Sequence, residues 1–337
     1  MSNLQDLQKI AQAMVAPGKG ILAADESTPT IGKRFATINT ESTEDSRRTY
    51  REMLFSADGI EKYIGGVIMY DETLRQSSKD GVAFPKLLAD KGIVPGIKVD
   101  MGAKDLAGFA GEKWTQGLTN LRERLAEYYE LGARFAKWRA VITIGDNIPS
   151  RHCLEVNAQA LAAYAALCQE AGIVPIVEPE VLMDADNSQA TCEKVTAEML
   201  SLTFRELHNH GVALEGIVLK PNMVISGKGH AKQSTVDQVA EATVRVLKRY
   251  VPAAVPGIAF LSGGQSSVDA TKHLDAMNKL GGSPWALTFS YGRALQADAL
   301  QAWQGKDENL AAGQAAMMKR AKLNGLAAKG EYSADLE

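Results

Sequence analysis

Short apolar runs rich in β-branched residues alternate along the chain with longer stretches whose apolar positions recur every three to four residues. The runs fall at 20–24, 66–70, 94–99, 134–136 with a continuation to 144, 173–177, 216–219, 257–261 and 285–289. A polar or glycine-rich break closes each one. Strands that alternate with helices imply parallel β–α units, and eight of them predict an α/β fold of the (β/α)8 TIM-barrel type rather than an open sheet.

The helical stretches carry start and stop signals. Leu118, Leu121, Leu125 and Tyr128 share one face and stop at Gly132. Ser234 and Asp237 resemble a capping box ahead of Val239, Thr243, Val246 and Tyr250. The alanine-rich stretch 153–170 closes at Gly172. Outside the repeat, an N-terminal helix is predicted over 3–16, with Leu4, Leu7, Ala11 and Met14 on one face and Pro17-Gly18 as its stop. A C-terminal helical segment ends in a short tail after about 330. No linker or break in composition divides the chain, so residues 1–337 are expected to form one domain.

The strand ends change the picture. Five of the predicted strands end on charge, at Asp25, Lys98, Lys137, Glu178 and Lys220. In a parallel barrel all C-terminal strand ends meet on one face, where active sites lie. Residues two apart on a strand share a side, so Asp25 with Ser27, Lys98 with Asp100, Lys137 with Arg139 and Glu178 with Glu180 are expected to point together. An ion-pair network that merely closes the barrel mouth is the plain alternative, and five charges at corresponding positions argue against it. Lysines beside carboxylates suit imine chemistry. An unperturbed lysine is neutral about once in 2,500 molecules at pH 7, and burial or neighbouring cations raise that fraction. Two glutamates on one strand would serve in proton transfer. Spacing does not choose among Lys98, Lys137 and Lys220 as the nucleophile.

The last two strands run into Leu261-Ser262-Gly263-Gly264-Gln265 and Phe289-Ser290-Tyr291-Gly292-Arg293. Small residues, free backbone N–H groups and an arginine after strands seven and eight form a phosphate-binding pattern.

Composition narrows the choices further. A net charge of −3 provides no basic field for nucleic acid and no polybasic tract for a membrane surface. Cys153, Cys168 and Cys192 are odd in number and widely spaced, which points to buried thiols rather than a disulfide framework or zinc ribbon. The five histidines contain no metal-ligand spacing, and His208 and His210 read as surface residues. Neither Gly18-Lys19-Gly20 nor Gly227-Lys228-Gly229 completes a dinucleotide or Walker A motif. With no signal-peptide core or spanning run, a reducing cytoplasmic setting is expected, although a mature plastid protein would look the same.

The stretches GKGILAADES, IGGVIMYDETL, GIKVD, FAKWR, GIVPIVEPE, EGIVLKPNMV, FLSGGQS and PWALTFSYGRALQ, in order and over roughly residues 10 to 330, closely resemble those of the class I fructose-1,6-bisphosphate aldolases. The resemblance implies reversible, metal-independent cleavage of fructose 1,6-bisphosphate to dihydroxyacetone phosphate and glyceraldehyde 3-phosphate, without a cofactor. By that resemblance Lys220 forms the Schiff base, Glu178 transfers protons with Glu180 beside it, Asp25 takes the C4-hydroxyl proton and Lys137 holds charge at the centre. It also implies that Ser262, Gly263, Gly264, Ser290, Gly292 and Arg293 cradle the C1 phosphate, that Ser27, Arg34 and Lys98 face the other phosphate, and that Arg139 lies at the sugar-binding face. A homotetramer is the assembly the resemblance suggests. Two features depart from the family pattern. Pro29-Thr30 stands where animal enzymes usually have a glycine and a serine, and the terminal tyrosine of many members is missing, with Tyr332 no obvious equivalent. Fructose 1-phosphate or an epimeric bisphosphate as substrate, and a non-catalytic scaffold, are the competing readings.

Overall fold

A computed structural model describes residues 2–337. Eight parallel strands close a barrel: β1 Gly20–Ala24, β2 Ile64–Met69, β3 Val94–Lys98, β4 Phe135–Ile142, β5 Val174–Val181, β6 Val218–Leu219, β7 Gly257–Phe260 and β8 Ala286–Tyr291. Each pairs with its sequence neighbours, and β1 with β8 (Ile21 opposite Ser290) completes the ring. The surrounding helices are α1 Ser2–Met14, α2 Thr28–Ala36, α3 Glu44–Ser56, α4 Asp71–Leu74, α5 Phe84–Asp90, α6 Leu121–Glu130, α7 Arg151–Glu170, α8 Gln189–Asn209, α9 Val236–Tyr250, α10 Ser267–Leu280, α11 Arg293–Trp303 and α12 Leu310–Ala327.

Alternation along the strands builds two cores. Outward residues such as Trp138, which stacks on Tyr164 of α7, join the helix layer. Inward residues Ile21, Ala23, Ile68, Phe135, Val174, Ile176, Val218 and Ala259 fill the barrel, and Leu7, Ala11, Met14 and Val15 from α1 and the turn after it pack beneath them. The N-terminal helix therefore corks the base. Fully burying a Leu, Met or Val side chain stabilises by about 1.5–3 kcal/mol each, which is ample to hold it there. Phe135 fills the floor so completely that a Cβ on Gly96 would lie 2.2 Å from its ring.

Several local expectations need correction. α1 ends at Met14 rather than 16, because the chain turns through Val15 towards Gly18, which has φ +73°. Leu118 lies outside α6 and is exposed; the helix starts only after Asn120, which adopts a left-handed conformation. The capping box before α9 is Thr235 with Gln238, one residue later than Ser234 and Asp237; the Thr235 hydroxyl accepts from Gln238 N and the Gln238 side chain accepts from Thr235 N. A small antiparallel hairpin, Ala103–Asp105 with Lys113–Thr115, projects after β3. Pro29 falls in the first turn of α2, where no intrahelical donor is needed.

Candidate active site

The inward series on each strand changes from apolar to charged on rising through the barrel. On β1 it runs Ile21, Ala23, then Asp25; on β4 Phe135, Lys137, Arg139; on β5 Val174, Ile176, Glu178, Glu180; on β6 Val218, then Lys220. A floor of hydrocarbon thus carries a layer of charge at the C-terminal mouth. Above it opens a cavity of about 700 Å³ lined by Asp25, Ser27, Arg34, Lys98, Lys137, Arg139, Glu178, Glu180, Lys220, Ser262, Gly263, Ser290, Gly292 and Arg293.

At its centre lies a buried chain of ion pairs. Lys220 Nζ is 3.2 Å from one oxygen of Glu178, and Lys137 Nζ is 3.2 Å from the other. Lys137 also donates to Asp25 Oδ2 at 3.1 Å. Lys220, Lys137 and Glu178 are each at most 5% exposed. Burial pushes the Asp25 carboxyl up, but Lys137, Lys220 and Lys98 outweigh it and hold Asp25 well below the usual carboxylate range. For Lys137 burial acts downward, and the fields of Asp25 and Glu178 overcome it, so its ammonium is held above its ordinary value. Cationic crowding therefore does not neutralise Lys137; facing carboxylates keep it charged. Lys98 stands apart, with its Nζ 2.7 Å from Asp100 Oδ1. Arg139 ion-pairs with Glu180, which, despite burial, raises its guanidinium above the ordinary value.

The backbone that presents Lys220 is held by Asn222, two residues on. Its side-chain oxygen accepts from Val181 N at 3.0 Å and its amide donates to Thr196 of α8. This tie joins the segment after β6 to the end of β5, which carries both glutamates.

Two strands further around the rim from β6, Gly292 precedes α11 and Arg293 opens it, so the helix N-terminus faces the cavity. The Ser290 hydroxyl is buried there and, among the described residues, has no hydrogen-bond partner. An orphaned buried hydroxyl costs about 1–3 kcal/mol, which a ligand oxygen would recover. A Cβ on Gly263 would lie 2.8 Å from the Met183 methyl and 3.2 Å from Glu180, so a larger residue here would have to displace side chains at the site. Gly264 is not among the residues lining the cavity; it is turned at φ +77° with Met183 Cγ 2.1 Å from where a Cβ would stand. Its part is to make the turn. Arg34, expected with Ser27 and Lys98 at the other phosphate, sits instead beside this cradle, its Nη2 3.7 Å from the position of a Cβ on Gly292. Lys98, on β3, is held instead by Asp100, and Ser27 bonds Thr30 across 3.0 Å.

Asp100 was expected beside Lys98 and lies there; Glu26, Asn222 and Gln296 escaped the sequence reading. Glu26 is a charged residue flanking a site residue, a signal that was present; Asn222 and Gln296 carry none. Among the described residues, no group of three or more His, Cys, Asp or Glu side chains could hold a metal ion, and no helix is long and apolar enough to cross a membrane. All three cysteines are free and buried.

A closed barrel with lysines, carboxylates and a helix-terminal anion cradle at one mouth defines an enzyme of the (β/α)8 class. The sequence profile described as class-I fructose-bisphosphate aldolase matches residues 6–337. A probable fructose-bisphosphate aldolase class 1 from Xanthomonas campestris is 57% identical, over 98% of this chain and 99% of its own length. The fructose-bisphosphate aldolase of Echinococcus multilocularis is 54% identical, over 99% and 93%. A solved structure of fructose-bisphosphate aldolase from Plasmodium falciparum superposes with a TM-score of 0.98 at 48% identity, covering 99% of this chain and 97% of that one. The chain belongs to the class I fructose-bisphosphate aldolase family.

Proposed function

We propose that this chain, acting as one domain over residues 1–337, cleaves fructose 1,6-bisphosphate reversibly to dihydroxyacetone phosphate and glyceraldehyde 3-phosphate through a Schiff base on Lys220. The observation that carries the assignment is the Glu178 carboxylate between Lys220 and Lys137, 3.2 Å from each. Glu178 is placed to accept a proton from Lys220, which leaves the neutral amine that attacks the ketose C2. Loss of water, with a proton returned through Glu178, forms the protonated imine. Asp25, held anionic, takes the C4-hydroxyl proton; the C3–C4 bond breaks, its electron pair moves into the imine to give the enamine, and the aldehyde leaves. A proton returned to C3 restores the imine, and hydrolysis frees dihydroxyacetone phosphate and Lys220. Lys137 stays cationic throughout and screens Asp25 and Glu178 from one another. Glu180, paired with Arg139, assists proton transfer and fixes that arginine at the sugar face.

Ser262, Gly263, Ser290, Gly292 and Arg293 receive the C1 phosphate, with Arg34 at their edge; Ser27 and Lys98 serve the other phosphate. Tyr332 takes no part in product release on this reading, because it is 6% exposed and its hydroxyl donates to Glu337 at 2.9 Å. A cytoplasmic homotetramer remains the assembly expected from the family, measurable by light scattering.

Borohydride added with dihydroxyacetone phosphate should leave a reduced adduct on the peptide containing Lys220, and cleavage should survive a strong chelator. An adduct on Lys98 or Lys137 would refute the assignment.

A further inference from the structure

The turn between Asp25 and Ser27 carries a third side chain that the reaction above does not use. Glu26 is buried, 8% exposed, and its carboxylate is met by side chains from three helices. Arg34 of α2 ion-pairs with Oε1. Arg51 of α3 places Nη2 2.8 Å from Oε2. Gln296 of α11 donates its amide to Oε1 at 2.9 Å. That same amide donates to Ala23 O of β1 at 2.7 Å, and Tyr50 donates to the Gln296 oxygen at 3.1 Å.

The charges in this cluster do not cancel. Two guanidinium groups share one carboxylate, and Arg51 is 2% exposed with Nε and Nη1 lacking partners among the described residues. A buried cation with no other anion fixes the carboxylate firmly, because separating the two would strand both charges. Glu26 is therefore pinned from behind by Arg51 and from the side by Gln296, and offers Oε1 to Arg34 in front. Arg34 is the least buried member: its side chain is 21% exposed, whereas those of Arg51 and Glu26 are 2% and 4%. Its free edge faces Gly292 and the mouth of the phosphate cradle.

We propose that Glu26 is a positioning residue for substrate binding, which holds the Arg34 guanidinium pre-aimed at the phosphate bound beside Gly292 and Arg293. A flexible arginine at a rim would otherwise lose rotamer freedom on each binding event, and anchoring one face of its planar fork in advance leaves the other donors oriented for a phosphate oxygen. Arg51 and Gln296 act behind it by fixing where Glu26 stands. This inference rests on the assignment of the cradle to a substrate phosphate given above.

The test is a coupling measurement. Glu26→Gln alone leaves Arg51 buried without an anion, so it is made together with Arg51→Met, which removes one charge of each sign. Steady-state cleavage of fructose 1,6-bisphosphate by the pair should show KM raised about tenfold with kcat within about threefold of the parent. In an Arg34→Ala background the same pair of substitutions should change KM by less than about twofold, because the group being positioned is already gone. An unchanged KM, or an equal rise in the Arg34→Ala background, would overturn the proposal; a general loosening of the fold would give that second result. Glu26→Asp, which keeps the charge on a shorter arm, provides a milder check, with KM raised about threefold and kcat preserved; an unaltered KM here also counts against the idea. Trapping at Lys220 is measured on the same preparations. Absence of that adduct in the parent enzyme would refute the imine assignment, whereas the Glu26–Arg34 coupling is read from KM alone.

Discussion

Replacing Lys137 by methionine removes the cation shared by two buried carboxylates and keeps most of the side-chain volume. Lys137 Nζ lies 3.1 Å from Asp25 and 3.2 Å from Glu178. At an effective dielectric constant of 20, each contact is worth roughly 5 kcal/mol of gross attraction, and removing one partner of a buried pair costs about 3–5 kcal/mol net. The expected destabilisation at pH 7 is in that net range. Its pH dependence is the sharper test. In the parent, Asp25 is held below its ordinary value of 3.8, so its contribution is fully present above that value and is lost only as pH falls further. Without Lys137 the largest opposing field is gone, burial is the largest remaining cause, and the Asp25 carboxyl is expected to rise. The native state of the variant then binds a proton that the unfolded chain does not, and its stability rises as pH falls towards the acid range. The gap between parent and variant should narrow by up to about 1.4 kcal/mol per pH unit over the range where that proton is taken up. Urea denaturation of both proteins between pH 5 and 8 measures the gap, and a kcat reduced at least about 100-fold is expected beside it. A gap below about 1 kcal/mol that does not vary with pH would refute the electrostatic reading of the centre.

Two further outcomes follow from other parts of the structure. His273 of α10 is buried, with Nδ1 2.7 Å from Gln265 Oε1, and burial lowers its pKa from 6.5 to about 4. The unfolded chain therefore binds a proton across that window that the native state refuses, so stability should fall by about 1.4 kcal/mol per unit as pH drops from 6.5 towards 4; His273→Gln should flatten this slope in urea titrations, and an unchanged slope would place its origin elsewhere. Gly264→Ala combines a left-handed backbone with a Cβ 2.1 Å from Met183 Cγ; it should destabilise by at least about 1–3 kcal/mol and raise KM by displacing the adjoining Ser262-Gly263 turn, detectable by thermal melts and initial rates.

The barrel and its charged rim were legible because both rest on period two. Ile21, Ala23 and Asp25 are inward on one strand, and so are Val174, Ile176, Glu178 and Glu180 on another, so the change from apolar to charged residues marks the height in the barrel at which the site begins. Helix starts were harder to read. Ser234 and Thr235 are both competent caps, and the winner is decided by Gln238, whose side chain returns to the Thr235 N–H. Leu118 has the right spacing for α6, yet Asn120 breaks the helical path before it. The three-residue strands of the hairpin after β3 are too short and too polar to show a pattern. The Glu26 cluster was invisible for another reason. Gln296 reaches Glu26 across 270 positions, and Arg51 sits on a helix face otherwise filled by Tyr50 and Leu54, so no local regularity announces either. Choosing Lys220 over its two neighbours also lay beyond periodicity; it needed the family resemblance.

The helix that corks the base of the barrel gives the enzyme a single door. With Leu7, Ala11, Met14 and Val15 sealing one end, everything that reaches Lys220 enters through the mouth and leaves by it. On the reaction proposed above, the substrate, both products and the water that hydrolyses the imine therefore share one passage.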